Sequence, residues 1–279
     1  MSTTHANTGN ESIAFIGGGN MASAIIGGLL KRGLPASRIQ VVEPFAQQRA
    51  RLAAQFKVAV HALAGASLED ADVVVWAVKP QTFNDAAKQC RAHTGNALHL
   101  SVAAGIRSDT IAGWLGTERI VRAMPNTPAL VGLGQTALFP RPAVSAADRL
   151  AVERVIEPTG EFLWLNKEAQ LDAVTALSGS GPAYVFYFIE AMIDAGADMG
   201  LSREQARQLA IGTFVGASIL ARDAAEPPGV LRERVTSRGG TTHAALMSLE
   251  HEGVKARFMR AIGAARARAS ELGDEFGSA

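Results

Sequence analysis

Short apolar runs and longer amphipathic stretches alternate through the first half of the chain. Ile13 to Ile16, Ile39 to Val42, Val58 to Val60, Val73 to Val78, Leu98 to Val102, Ile120 to Ala123, Gln135 to Phe139 and Phe162 to Leu165 read as strands. Each is rich in apolar or β-branched residues and bounded by turn residues. Helical stretches such as Met21 to Arg32 and Gln47 to Gln55 lie between them, an alternation that predicts a parallel sheet covered by helices. The last two strands fit as antiparallel additions at one edge. After Asn166 the β signal stops and apolar residues recur three or four apart. Val185, Phe188, Ile189 and Met192 form one stripe, and Leu209, Phe214, Ala217 and Leu220 belong to another. Gly179, Gly181 and Pro182 interrupt the first of these helices, and Pro227, Pro228 and Gly229 separate the later ones.

A chain of 279 residues suits two modest domains, each able to bury its own core. The pattern divides it into a sheet domain over 11–166, an all-helical domain over 167–279, and a disordered tail of small and polar residues over 1–10. The helical half is rich in Ala and Gly and carries more apolar surface than one small bundle hides, so a homodimer through it is expected. Lys and Arg total 27 against 26 for Asp and Glu, so no net field gathers nucleic acid or binds an acidic membrane. Cys90 is the only cysteine, which excludes an internal disulfide and a cysteine cluster for a metal, and points to a reducing, cytoplasmic setting. No secretory signal pattern is visible, and no apolar stretch approaches the ~20 residues needed to span a bilayer. A soluble protein is expected.

Candidate chemistry sits first at Gly17-Gly18-Gly19-Asn20-Met21-Ala22, directly after the first strand and at the start of a helix. Gly17, Gly19 and Ala22 occupy the three small-residue positions of a dinucleotide fingerprint, for the turn, the approach of the pyrophosphate and the packing of helix on strand. A Rossmann-type domain and a nicotinamide cofactor are the leading inference. A glycine-rich turn that binds no dinucleotide would give the same string. Ala77-Val78-Lys79-Pro80 ends a buried strand on the same edge of the sheet, with Lys79 also readable as a solvated strand end. Glu43 closes the second strand about 20 residues beyond the glycines, where an acid accepts from the adenosine ribose hydroxyls. That favours NAD, although Arg49 and Arg51 follow closely and can offset the charge. Glu43-Pro44 equally fits a plain helix start.

Much later, Ser237-Arg238-Gly239-Gly240-Thr241-Thr242 places two glycines and two threonines at a helix start. Converging N–H groups there make an anion nest suited to a carboxylate, and the Thr242 hydroxyl can reach a neighbouring ring nitrogen. An ordinary N-cap explains the same spacing. The six histidines show no metal-ligand pairing and no nucleophile-base arrangement, so no metal is expected.

Gly17 to Ala22, Ala77 to Pro80, Arg122-Ala123-Met124-Pro125-Asn126-Thr127-Pro128, Ser178-Gly179-Ser180-Gly181-Pro182-Ala183-Tyr184 and Gly239-Gly240-Thr241-Thr242 together resemble the pyrroline-5-carboxylate reductase family. The resemblance runs from Ile13 to about Ser270. It implies a Rossmann domain, a helical domain that interlocks in a dimer, often a ring of five dimers, and reduction of 1-pyrroline-5-carboxylate to L-proline. Under it Gly17, Gly18, Gly19, Asn20, Met21 and Ala22 contact the pyrophosphate. Ala77, Val78, Lys79, Pro80, Val102, Ala103 and Ala104 lie along the cofactor toward the nicotinamide. Gly239, Gly240 and Thr241 hold the substrate carboxylate through N–H groups, Thr242 meets the ring nitrogen, and Glu226 matches an acidic position near the substrate entrance. NADPH stands first as cofactor and NADH second, because Glu43 and the family expectation pull in opposite directions. Arg238 departs from the proline usual in the family.

Two other readings remain at this stage. A β-hydroxyacid dehydrogenase shares the two-domain plan but needs a lysine on the first helix of the second domain, and Ser178 to Gly200 contains none. A cofactor-binding regulatory protein that has lost catalysis would keep the fold, with Arg238 as the sign of drift; both loop glycines and Thr242 argue against it.

Overall fold

A computed structural model describes residues 11–277; the tail expected over 1–10 lies outside the described residues. Contacts divide the chain into two compact units, 11–180 together with 265–277, and 181–264.

The first unit is built on strands β1 (Ile13–Ile16), β2 (Ile39–Val42), β3 (Ala59–His61), β4 (Val73–Trp76), β5 (Leu98–Ser101), β6 (Ile120–Met124), β7 (Gly134–Pro140) and β8 (Gly160–Trp164). Their order is β3-β2-β1-β4-β5-β6-β7-β8. β1 to β6 are parallel, β7 runs antiparallel to β6, and β8 runs parallel to β7. Both closing strands therefore oppose the main sheet, as expected for antiparallel additions at its edge, and α5 crosses over between them. β1 and β4 are buried at every position, the reading expected of a strand covered on both faces.

Alternation along the strands feeds two cores. Phe15, Val41, Val75 and Leu100 face helices α1 (Asn20–Lys31) and α2 (Ala46–Phe56), together with α5 (Ala146–Ile156). Ile16, Val74 and Trp76 face α3 (Pro80–Cys90) and α4 (Ser108–Leu115). Fully burying a residue of this size contributes about 1.5–3 kcal/mol, so the two faces stabilise the sheet from both sides. β4 stops at Trp76, earlier than the apolar run Val73 to Val78, because Pro80 fixes the first turn of α3.

Helix α6 (Gln170–Val174) and the wide turn after it, where the Ser180 N–H reaches the Thr175 carbonyl at 2.8 Å, lie in this unit rather than with the later helices. Ion pairs hold the segment to the sheet: Arg122 to Glu168 at 2.7 Å and Arg107 to Asp172 at 3.0 Å.

The second unit contains α7 (Gly181–Asp198), α8 (Arg203–Asp223), α9 (Pro228–Arg234), α10 (Thr241–His251) and the first part of α11 (Val254–Gly277). Ser202 accepts from the Gln205 N–H and Gln205 returns the bond, a reciprocal cap that starts α8. Gly196 lets α7 and α8 approach, since a Cβ there would lie 2.8 Å from Ala206 Cβ. Phe258 packs edge-on against Tyr184 and Phe188. Within 181–264 only Gly196, Ala206 and Ala210 are buried. No described helix is long and apolar enough to cross a membrane.

Candidate active site

The carboxyl ends of β1, β4 and β5 step along one edge of the sheet, where the strand order reverses. Ligands of open α/β sheets bind at such a reversal. The Gly17 N–H donates to Val42 O at 2.9 Å and the backbone turns with φ +91°, so only glycine fits without strain. A Cβ on Gly17 would also stand 2.7 Å from Ala77 O. Gly19, by contrast, faces open space and precedes α1 with no side-chain cap, leaving the first-turn N–H groups of Asn20, Met21 and Ala22 for an anion. Ala22 is fully buried and carries the helix against the sheet. These residues fit a dinucleotide pyrophosphate.

The other expected cofactor residues share that edge. The Ala77 N–H donates to Ile16 O at 2.8 Å and the Val102 N–H to Trp76 O at 3.1 Å, so Ala77 and Val102 each continue the ladder beyond a strand end. Val78 and Pro80 are half-buried, whereas Lys79 is exposed at the start of α3. Ala103 is buried between half-buried Val102 and Ala104. Gly105, with φ +78°, bends the chain away under Leu272 and Phe276.

Glu43 is buried at the end of β2, and its carboxylate is doubly anchored. Gly18 N–H donates to Oε2 and Phe45 N–H to Oε1, both at 2.9 Å. Gly18 thus turns its N–H toward the acid rather than toward a phosphate. Arg49 donates to the carbonyls of Glu43 and Pro44 at 2.8 and 2.7 Å.

In the second unit, Gly239 takes φ +75° and Gly240 precedes α10 without a side-chain cap. The Gly240 N–H closes the loop onto Ser237 O at 3.0 Å. Of the expected carboxylate-binding amides, Gly240's is therefore engaged within the loop, which leaves those of Gly239 and Thr241, and beside them the first-turn N–H of Thr242, for an anion. Thr242 is half-buried, and Arg238 is exposed. Glu226 forms an ion pair with Arg234 at 2.5 Å.

Two further constellations link motifs to which the spacing gave no role. Asn126 accepts from the Gln135 N–H at 2.9 Å and donates to Ser178 O and Oγ at 3.2 and 3.3 Å, while Gly179 leaves room for Met124, whose Cε a Cβ would approach to 2.4 Å. Glu168 accepts from the Ser108 N–H at 2.6 Å, the Ser108 hydroxyl at 2.7 Å and Arg122 at 2.7 Å. Burial opposes ionisation of Glu168, but the Ser108 and Arg122 contacts outweigh it and hold the carboxyl below its ordinary range. Only the polar residue types at 108, 122 and 168 hinted at this network in the sequence.

Doubly wound topology, an uncapped glycine turn at the order reversal and an acid fixed beside it define a dinucleotide-binding domain. Residues 168–272 match the family described as pyrroline-5-carboxylate reductase dimerisation, and residues 12–105 match NADP oxidoreductase, coenzyme F420-dependent. A pyrroline-5-carboxylate reductase of Pseudomonas aeruginosa is 45% identical over 267 residues, covering 95% of this chain and 98% of that protein. The Arabidopsis thaliana enzyme of that name is 38% identical, with 93% and 95% covered. A Coxiella burnetii pyrroline-5-carboxylate reductase structure superimposes with a TM-score of 0.89 at 36% identity, covering 95% of this chain and 99% of that one. A Plasmodium falciparum pyrroline carboxylate reductase with NADP bound gives 0.85 at 29%, covering 95% and 98%. The chain belongs to the pyrroline-5-carboxylate reductase family.

Proposed function

We propose that the chain reduces the cyclic imine 1-pyrroline-5-carboxylate to L-proline, the last step of proline biosynthesis, with NADH or NADPH as hydride donor. The reading rests above all on family membership across nearly the whole chain, at 45% identity over 95% of its length. Residues 11–166 bind the coenzyme, and 167–279 bind substrate and dimerise. The protein works in the cytoplasm as a homodimer, with a ring of five dimers as the larger assembly the resemblance implies.

When bound, reduced nicotinamide would supply hydride to the C=N carbon, C2 of the pyrroline ring, which becomes C5 of proline. With hydride on that carbon, the π pair of the C=N bond would move onto nitrogen, and the iminium would become a neutral secondary amine that takes its final proton from water. The protein's part is placement and stabilisation of changing charge. First-turn amides of Thr241 and Thr242 hold the carboxylate, and Gly239 supplies the left-handed turn that presents them. The Thr242 hydroxyl accepts from the iminium N–H and then donates to the amine lone pair, so it orients the nitrogen without acting as the proton source. Glu226, paired with Arg234, sets the charge at the entrance.

Mixing the protein with pyrroline-5-carboxylate and each reduced coenzyme, and following both the loss of reduced-nicotinamide absorbance and the appearance of proline, tests the reading. Turnover is expected with at least one coenzyme, and Thr242→Ala lowers it by roughly 10 to 1,000-fold, the range for removing one well-placed donor. No turnover with either coenzyme contradicts the function, and unchanged kinetics in the variant removes Thr242 from the mechanism.

A further inference from the structure

We propose that Arg107 is a positioning residue for hydride transfer: clasped between Asp172 and the last turns of α11, it holds the loop after β5 against the nicotinamide half of the coenzyme. The proposal deepens the reductase reading and rests on it for the hydride step, whereas the binding it calls for needs no turnover.

A dinucleotide whose pyrophosphate sits on the β1 turn extends one half over β2 and the other over β4 and β5. The loop Val102 to Gly105, two strand spacings or about 10 Å from β1, lies under that second half. Its first residues are set by the sheet. The Val102 N–H donates to Trp76 O at 3.1 Å, and the Ala103 N–H to Ser101 Oγ at 3.4 Å. Its last residues are set by parts of the chain remote in sequence. Gly105 turns with φ +78°, and a Cβ on it would lie 3.2 Å from Leu272 Cβ and 3.3 Å from the Phe276 ring, so the turn is pressed under α11. Phe276 packs on the same core as Ala103 and Ile106. Arg107 Nη1 donates to both carboxylate oxygens of Asp172 at 3.0 Å. The rest of its guanidinium lies over Gly273, where a Cβ would come within 2.6 Å of Nε and 2.7 Å of Cζ.

Two features give this clasp a role beyond holding the fold together. Gly273 lies within α11, where glycine is a poorer helix former than leucine or alanine. What glycine supplies there is a seat for the Arg107 guanidinium. Asp172 and Gly273 also flank the two points at which the chain passes between its units, after Ser180 and after Ala264. One side chain thus ties both approaches to the loop beneath the coenzyme. Hydride transfer needs reacting atoms about 3 to 3.5 Å apart, and a displacement of about 1 Å that originates far from the chemistry can cost on the order of 100-fold in rate.

Calorimetric titration of the full protein compares each reduced coenzyme with its counterpart lacking nicotinamide, NADH with ADP-ribose and NADPH with 2′-phospho-ADP-ribose. Arg107→Met removes the donors; Gly273→Leu fills the seat and dislodges the guanidinium while leaving the loop sequence intact. In both variants the affinity advantage of the coenzyme over its truncated counterpart is expected to shrink roughly fivefold or more, with the truncated ligand itself bound within about twofold of the unaltered protein. Single-turnover reduction at saturating coenzyme should slow about 10 to 100-fold, with the KM for pyrroline-5-carboxylate nearly unchanged. Retained binding of the truncated ligand shows that the sheet unit is folded; should Arg107→Met lose it, Gly273→Leu decides. Equal weakening of both ligands in both variants makes the clasp a matter of folding alone and overturns the proposal. An unchanged affinity ratio in a folded variant overturns it too. A shrunken ratio in a protein that reduces no pyrroline would sink the reductase reading alone, and full turnover in both variants with the ratio intact would sink this proposal alone.

Discussion

His99 shows how one buried side chain ties stability to pH. Trp76 Nε1–H donates to His99 Nδ1 at 2.9 Å, so the ring proton sits on Nε2, facing Thr94 O at 3.2 Å. Burial pushes the imidazole down from 6.5 to about 4, with Arg119 adding in the same direction against the Thr94 contact. Between those two values the unfolded chain holds the extra proton and the folded one does not, so stability falls as pH drops through the window and levels off below it. Across pH 7.5 to 5 the loss amounts to about 2 kcal/mol. His99→Gln keeps an acceptor for Trp76 and a donor for Thr94 but cannot titrate. In urea unfolding, the gap between the two proteins should narrow by that amount from pH 7.5 to pH 5; parallel curves would show that His99 is not the sensor. Of the residues proposed for the site, Gly17 and Ala22 were legible because a positive φ and a tight packing position each demand a small side chain. The engagement of Gly240 N–H by Ser237 was not, since loop closure rather than residue type decides it.

Strands were the most legible elements. Runs such as Ile13 to Ile16 are covered on both faces, and a continuous apolar segment between turn residues is what such burial requires. Ends were less so: β4 yields two residues to the Pro80 turn, and β3 sits one residue later than its apolar run. The wide turn from Thr175 to Ser180 left no trace in the pattern, because its hydrogen bond shifts by one residue without changing which side chains are apolar. The helical stripes are only partly covered in the single chain: Phe188 packs on Phe258, whereas Leu209 is 58% and Leu220 70% exposed on α8. Beside the α7 stripe, Phe186 and Tyr187 are 65% and 68% exposed. Exposed apolar faces of this extent mark an interaction surface. A second copy is the occupant that the dimerisation match favours. Sedimentation at micromolar concentration should find a dimer, and Leu209→Glu combined with Leu220→Glu should shift it toward monomer. A monomeric unaltered protein would rule out this role for α7 and α8.

The fold follows from a change of pattern near the middle of the chain, short continuous apolar runs in βα repeats before it and helical spacing after. The compact units divide at Ser180, whereas the family match to the dimerisation region begins at residue 168. Residues between these points are helical in pattern yet held to the sheet by Arg107 and Arg122, partners 46 to 65 positions away that no local pattern reveals. The proposed function assigns the coenzyme to the sheet unit and the carboxylate grip to α10, so the proposed reaction draws on residues of both units. A crystal structure with L-proline and oxidised coenzyme bound addresses this directly. The carboxylate should accept hydrogen bonds from the main-chain N–H groups of Thr241 and Thr242, with the ring nitrogen at the Thr242 hydroxyl. Proline bound elsewhere, with those amides facing solvent, would contradict it.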